Sequence, residues 1–186
     1  MRTLILIRHS AVKSDPGKPA HEWALSAEGR SRCYELAAEL ERYDPAVFVT
    51  SAEPKAVETG RLLAEALDRP WTTAAGLHEH ERRSTPYFDD PAAFETAVAQ
   101  FFARPGELVL GEETAAQARS RFISAVDAVL TDYPTGKVAI VAHGTVITLF
   151  LSHYNPHLEP FSLWRGLTLP CYFVVSAPGM RLVENG

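Results

Sequence analysis

The sequence predicts an α/β fold: a three-layer α/β/α sandwich with a mostly parallel central sheet, an antiparallel edge and a small helical lid insertion. Residues 4–7 and 138–142 are continuous apolar runs, which is typical of strands buried on both faces. Segments with strand and helix patterns alternate along most of the chain, as in parallel sheets joined by helical crossovers. Near the end of the chain, two apolar runs flank Gly179 and predict a hairpin that supplies the antiparallel edge.

The first half of the chain predicts three strands and two helices. A polar loop follows the first strand, and Ser26 is placed to cap a helix whose apolar residues follow helical spacing. Residues 46–50 predict the second strand. Ser51 is placed to cap the next helix, and a short third strand is predicted around residues 71–73.

The segment 76–112 breaks this alternation, and we interpret it as a lid and specificity insertion within a single domain of residues 1–186. Its second half predicts a small helix whose apolar core positions are Phe94, Val98, Phe101 and Phe102. Thr114 and Gln117 then match a capping box at the start of a longer helix. The second buried strand follows, with a further helix that begins near Thr145.

Composition and charge restrict the possible classes of function. The net charge of −5 over 186 residues argues against a general nucleic-acid binder, although local cations can still bind a small anion. No apolar run approaches the roughly 20 residues of a membrane span, and the first strand begins without a preceding signal peptide. Cys33 and Cys171 are far apart and predict buried thiols of a reduced protein. We therefore expect a cytoplasmic protein with a small-molecule partner and with no nucleic-acid or membrane partner.

Two of the predicted buried strands each end in a histidine. Arg8 and His9 follow the first apolar run directly, and His143 and Gly144 follow the run at residues 138–142. In open α/β sheets, ligands bind at the edge where the strands have their carboxyl ends. We therefore expect one site with two imidazoles and an arginine. This combination suits a phosphate group, with one histidine free to attack it.

Six short motifs follow one another in order along nearly the whole chain. They are residues 8–10 (RHS), 25–29 (LSAEG), 51–59 (SAEPKAVET), 77–79 (LHE), 112–114 (EET) and 143–144 (HG). In order and spacing, this set resembles the histidine phosphatase superfamily, also called the phosphoglycerate mutase-like family. The resemblance implies a phosphatase that acts on a small phosphorylated metabolite. It also implies that cations replace a metal ion, so we expect no metal and no other cofactor.

The resemblance implies a role for each motif residue. His9 would be the nucleophile that takes the phosphoryl group onto a ring nitrogen. The catalytic residues beside it, which would bind the phosphoryl oxygens, are Arg8, Lys55 and His143. Ser10 and Gly144 are expected to contact the substrate. Outside the motifs, Arg82 and Arg83 either line a pocket over the non-phosphate end of the substrate or belong to a solvated loop.

The LHE motif supplies the candidate general acid. Glu79 would protonate the leaving oxygen and later accept a proton from the water that attacks phosphohistidine. Glu81 lies two residues further along and is the alternative for this role.

Three residues depart from the family pattern. Ser10 stands where glycine is usual beside the nucleophile, and its hydroxyl could instead donate a hydrogen bond to the phosphate. Lys55 stands where arginine is usual, which keeps the charge but loses the bidentate fork, and Ala52 replaces a proline. Three alternatives therefore stay open: mutase-type phosphoryl transfer, a phosphoprotein phosphatase acting on phosphohistidine, and a pseudoenzyme that binds phosphorylated ligands with weak or no turnover.

Overall fold

The computed structural model describes residues 2–186, which form six strands and six α-helices. The strands are β1 (Arg2–Arg8), β2 (Val47–Thr50), β3 (Trp71–Thr73), β4 (Val138–Ala142), β5 (Cys171–Ala177) and β6 (Arg181–Asn185). The helices are α1 (Ala27–Leu40), α2 (Pro54–Ala66), α3 (Pro91–Ala103), α4 (Ala115–Asp132), α5 (Gly144–Tyr154) and α6 (Pro160–Arg165).

All six strands belong to one sheet, in the order β3-β2-β4-β1-β5-β6. The pairs β2–β3, β2–β4 and β1–β4 are parallel, whereas β5 pairs antiparallel with both β1 and β6. The predicted fold class, including its antiparallel edge, is therefore confirmed. Because β1, β2 and β4 run in the same direction, the residues that follow them meet at one edge of the sheet. These residues are His9, Ser51 and His143.

The residues of β1 alternate between two hydrophobic cores. Leu4 and Leu6 pack in the core on one face of the sheet, and Ile5 and Ile7 pack in the core on the other. All four side chains are fully buried, which explains why this run is apolar throughout. Helices α1 and α2 contribute to the core that contains Ile5, and α4 and α5 to the core that contains Leu4. The sheet thus lies between two helical layers.

The starts of the helices agree with two of the three predicted caps. Ser26 caps α1, and Thr114 opens α4 with a complete capping box. The prediction that Ser51 caps α2 is wrong. That helix begins at Pro54, whose fixed φ and missing amide suit the first helical position. The hydroxyl of Ser51 instead forms a hydrogen bond with the imidazole of His143.

Residues 76–112 contain helix α3, in which Val98, Phe101 and Phe102 are buried as predicted, whereas Phe94 is only partly buried and also lines a cavity. Cys33 and Cys171 are buried free thiols, also as predicted. Helix α6 was not predicted, because its six residues are too few for a helical period to show in the sequence. Among the helices of residues 2–186, none has the length and apolar character needed to cross a membrane.

Candidate active site

His9 lies directly after β1, and its backbone amide donates to Ala142 of β4 over 3.0 Å. Its Nδ1 lies 2.8 Å from the carbonyl oxygen of Ser10. Because a carbonyl oxygen can only accept, Nδ1 carries the proton and Nε2 keeps its lone pair. Burial, together with His143 and Lys55, lowers the pKa of His9 well below its ordinary value. The ring is therefore neutral at neutral pH, which is the form that can act as a nucleophile.

The loop after His9 uses both hydrogen-bond donors of Ser10. The Ser10 amide donates to Oγ1 of Thr59 over 3.0 Å, and the hydroxyl donates to the carbonyl of Gly29 over 2.7 Å. Position 29 needs a glycine, because a Cβ there would lie 2.0 Å from the carbonyl oxygen of Ala11. The Ser10 hydroxyl is thus engaged within the protein, and a hydrogen bond from it to phosphate would require this contact to break.

His143 follows β4 and lies against His9, with 5.3 Å between the ring centroids. Its Nε2 lies 2.9 Å from Oγ of Ser51 and 3.5 Å from Oε1 of Glu53. Its Nδ1 is buried and has no hydrogen-bond partner among residues 2–186. Burial lowers the pKa of His143 to about 3, although the carboxylate of Glu79 opposes the shift. The site therefore holds two neutral imidazoles side by side.

Arg8 is the last residue of β1, and its guanidinium lies against the start of α5. Nη1 donates to the carbonyls of Leu167 and Thr168 over 3.0 and 3.3 Å. Nε is buried and has no partner in the described part of the chain. A Cβ on Gly144 would lie 3.1 Å from this Nε, so a glycine allows the close approach of the guanidinium. The Nε–H group is a donor that remains available to an anionic ligand.

Lys55 is only 5% exposed, and its ammonium is held by two acceptors. Nζ donates to the carbonyl of Ala20 and to Oε2 of Glu53, each over 2.7 Å. Glu53 precedes α2 but makes no capping bond to it. Its Oε1 accepts instead from the amide of Glu79 over 2.8 Å. Because an ammonium has three donors, one N–H of Lys55 remains for a ligand.

The carboxylate of Glu79 lies at the N-terminus of α5. Oε2 accepts from the amide of Thr145 over 3.1 Å, and Oε1 accepts from that of Val146 over 3.3 Å. Burial by itself would raise the pKa of Glu79, but His143, Arg82 and backbone amides outweigh burial and lower the pKa to about 2. Glu79 is therefore ionised at neutral pH. A phosphate dianion bound beside it would raise its pKa, because like charges disfavour ionisation.

A buried ion pair fixes the backbone around Glu79. Arg121 of α4 pairs with Glu113, and its Nη1 donates over 2.8 Å to two loop carbonyls, one of them that of His78. Oε1 of Glu113 also accepts from the amide of Glu81 over 2.9 Å. The side chain of Glu81 is 39% exposed and lies 3.2 Å from the imidazole of His78. The two candidate acids therefore differ, because only the carboxylate of Glu79 contacts the start of α5, the helix that follows His143.

A cavity of about 680 Å³ opens beside these residues. Its lining includes Lys55, Glu53 and Glu79, but neither His9 nor His143. The rest of the lining mixes prolines and small polar residues with aromatic and charged side chains, among them Lys18, Trp23, Arg82, Arg83, Tyr87 and Phe94. The cavity therefore reaches Lys55, Glu53 and Glu79, whereas the two histidines lie outside its lining.

Two residues of the site were not identified from the sequence as parts of it. Ser51 was assigned to a helix cap, and Glu53 was given no role. The signal for Glu53 was its position, because it places a carboxylate two residues before Lys55, an expected phosphate ligand. Within residues 2–186, no group of three or more His, Cys, Asp or Glu side chains is placed to hold a metal ion.

Known proteins share both the sequence pattern and the fold of this chain. The family model described as the histidine phosphatase superfamily (branch 1) matches residues 4–175. A search among curated proteins found no match.

Three solved structures illustrate the structural likeness. A mycobacterial glucosyl-3-phosphoglycerate phosphatase in complex with inorganic phosphate is 19% identical, with a TM-score of 0.77 over 98% of this chain and 95% of its own. YhfR from Bacillus stearothermophilus is 18% identical, with a TM-score of 0.75 and the same coverage of both chains. A phosphoserine phosphatase from Entamoeba histolytica in complex with phosphoserine is 14% identical, with a TM-score of 0.72 over 100% of this chain and 96% of its own. At these identities, the likeness shows a shared fold.

Proposed function

Because the chain belongs to the histidine phosphatase superfamily (branch 1), we propose that it hydrolyses a small phosphorylated metabolite through a phosphohistidine intermediate on His9, without a metal ion. One observation carries this proposal. The hydrogen bond from Nδ1 of His9 to the Ser10 carbonyl leaves Nε2 unprotonated, in a site that also holds His143 and Lys55. A neutral imidazole with a fixed tautomer beside a cation is suited to accept a phosphoryl group.

In the first half of the reaction, Nε2 of His9 attacks phosphorus while the bond from phosphorus to the leaving oxygen breaks. Because Glu79 is ionised in the free enzyme, it first takes a proton from the incoming phosphate monoanion; it then gives this proton to the leaving oxygen, and the alcohol leaves. The ring becomes positively charged and keeps its Nδ1 proton on the Ser10 carbonyl. Arg8 and Lys55 direct their uncommitted N–H groups at the phosphoryl oxygens, which stabilises the charge of the transition state.

In the second half of the reaction, a water molecule attacks phosphohistidine. The Glu79 carboxylate accepts a proton from the water, the bond from phosphorus to Nε2 breaks, and inorganic phosphate is formed. His9 returns to its neutral form with the proton on Nδ1. Glu79 is assigned this role in preference to Glu81 because its carboxylate lies at the start of α5 and its pKa responds to His143.

The cavity is the proposed site of the leaving group. The rings of Trp23 and Tyr87 lie 6.3 Å apart and belong to its lining, together with Arg82 and Arg83. Two of the structural relatives are named as phosphatases of glucosyl-3-phosphoglycerate and of phosphoserine. These names support a small phosphorylated metabolite as the substrate class.

The proposal is tested with p-nitrophenyl phosphate from about pH 5 to about pH 8, with and without a chelator. We expect turnover that the chelator does not change, and His9→Ala should lower kcat/KM by at least about a thousandfold. His153→Ala is the matched control, because His153 is exposed on α5. Denaturing the enzyme during turnover of ³²P-labelled substrate should trap a phosphoenzyme that is labile to acid, as phosphohistidine is, and absent from His9→Ala.

Wild-type activity no greater than that of His9→Ala would overturn the proposed hydrolysis and favour a pseudoenzyme. Loss of activity in chelator would contradict the metal-free mechanism. Transfer of the label to a second phosphate acceptor, instead of to water, would favour the mutase reaction. These three outcomes concern separate steps, so one set of reactions distinguishes them.

A further inference from the structure

Glu53 places a carboxylate inside the proposed phosphate site. Its side chain is only 11% exposed. Oε2 lies 2.7 Å from Nζ of Lys55, while Oε1 accepts from the amide of Glu79 over 2.8 Å and lies 3.5 Å from Nε2 of His143. One side chain thus contacts a proposed phosphate ligand, the backbone of the proposed acid and the second histidine.

The contact with Lys55 has a physical reason. An arginine at this position would orient itself through its planar fork, whereas the ammonium of lysine is a point charge on a flexible stem. The two acceptors Glu53 and Ala20 hold that ammonium in one place. Through its other oxygen, Glu53 also fixes the residue that carries the acid. The lysine and the glutamate therefore form one unit.

The same carboxylate works against the binding of phosphate. The site holds the cations Arg8 and Lys55 and the anions Glu53 and Glu79, so the charges of these four groups cancel. A phosphate dianion that approaches Lys55 meets the negative charge of Glu53, and water screens this repulsion poorly because the two side chains are only 7% and 11% exposed. Weaker binding applies equally to the product, inorganic phosphate.

We propose that Glu53 is a positioning residue that orients Lys55 and the Glu79 backbone for phosphoryl transfer while its charge weakens the binding of phosphate and so favours product release. This inference rests on the function proposed above. It makes a prediction in two opposite directions: removal of the charge lowers kcat and at the same time tightens the binding of inorganic phosphate. General damage to the fold would instead lower kcat and weaken the binding of phosphate.

The test compares Glu53→Gln, Glu53→Asp and the wild-type enzyme by kcat and by the inhibition constant of inorganic phosphate. For Glu53→Gln we expect kcat to fall about tenfold and phosphate to bind about tenfold more tightly. Glu53→Asp keeps the charge but shortens its reach, so kcat should fall without tighter binding of phosphate. Glu65→Gln is the matched control, because Glu65 lies on α2, the helix that Glu53 precedes, but is 54% exposed and pairs with Arg61.

A second arm measures coupling with Lys55. In a Lys55→Arg background, the arginine fork orients itself, and Glu53→Gln should lower kcat by at most about threefold. Equal effects of Glu53→Gln in both backgrounds would overturn the coupling between these residues. The inference would be overturned if Glu53→Gln bound phosphate more weakly than the wild type, or if it changed neither kcat nor phosphate binding. If the wild type neither turns over nor binds phosphate, the proposed function itself fails, which is a separate result.

Discussion

At the scale of single residues, one backbone carbonyl decides which nitrogen of His9 can react. The carbonyl of Ser10 accepts a hydrogen bond from Nδ1–H over 2.8 Å, so the proton stays on Nδ1 and Nε2 keeps its lone pair. The side chain of Ser10 has a different task, because its hydroxyl donates to the carbonyl of Gly29 in the first turn of α1. A glycine at position 10 would keep the carbonyl and lose only the hydroxyl contact. The tautomer of His9 therefore depends on the backbone of residue 10 and not on its side chain, which is where this chain departs from the family pattern.

The roles of the two glutamates can be separated by the leaving group. We expect Glu79→Gln to lower kcat by about 10²-fold to 10³-fold on an alkyl phosphate, because an alkoxide needs a proton as it leaves. The loss on p-nitrophenyl phosphate should be smaller, because its leaving group needs little protonation. Initial rates on both substrates measure the difference. Glu81→Gln is the control. If Glu81→Gln loses more activity on the alkyl phosphate than on p-nitrophenyl phosphate, and Glu79→Gln does not, the acid is Glu81.

At the scale of elements, helix α4 holds the loop that carries Glu79. Arg121 pairs with Glu113, which lies just before the helix, and donates to three carbonyls of the loop, one of them that of Glu79. The side chains of the pair are only 20% and 10% exposed. Removal of one partner would leave the other as a buried, uncompensated charge. The position of the acid thus depends on a helix that contributes no side chain to the chemistry.

This dependence predicts an order of stabilities. Arg121→Leu should lower the free energy of unfolding by about 3–5 kcal/mol, because the Glu113 carboxylate is left buried without its partner. The double variant Arg121→Leu/Glu113→Gln should be more stable than Arg121→Leu, because the unpaired charge is gone. Urea unfolding of the two variants and of Glu113→Gln measures this order. A double variant less stable than Arg121→Leu would show that the pair is not the source of the loss.

The elements that could be predicted from the sequence are those whose signal is local. The apolar run of β1 and the caps at Ser26 and Thr114 each depend on neighbouring residues, and the structure has them as predicted. The imidazole partner of Ser51, and the Glu79 and His143 partners of Glu53, are instead far along the chain. Ser51 has the composition of a helix cap, but the fold places it 2.9 Å from an imidazole 92 residues away. No local pattern contains such a contact.

At the scale of the whole molecule, the sheet order explains why one edge can hold this chemistry. The strands β1 and β4 are neighbours although more than a hundred residues separate them, and their parallel register places His9 beside His143. Both histidines are buried in a place where neither is protonated at neutral pH. The fold thus maintains two neutral imidazoles and an ionised Glu79. The resulting differences in proton binding between the folded and unfolded chain affect the stability of the molecule.

Stability should therefore fall in acid. In the unfolded chain His143 takes up a proton near its ordinary pKa of 6.5, whereas in the folded chain its pKa is about 3. Between these values the unfolded chain binds more protons, so the free energy of unfolding falls as the pH is lowered, by about 1.4 kcal/mol per pH unit for one such group. Glu79 adds a loss as the pH falls from its ordinary 4.5 to about 2, because its pKa is also lower in the folded chain.

The test is urea unfolding at a series of pH values from about 7 down to about 4.5. In this range the histidines of the unfolded chain take up protons before Glu79 does. His143→Asn should make the slope of stability against pH shallower by about 1.4 kcal/mol per pH unit, because one proton uptake of the unfolded chain is lost. His153→Asn, on the exposed side of α5, should leave the slope as it is in the wild type. If the curves of His143→Asn and the wild type run parallel, His143 is protonated in the folded chain as well. That result would place a positive charge next to His9 and contradict the neutral pair of imidazoles on which the proposed attack depends.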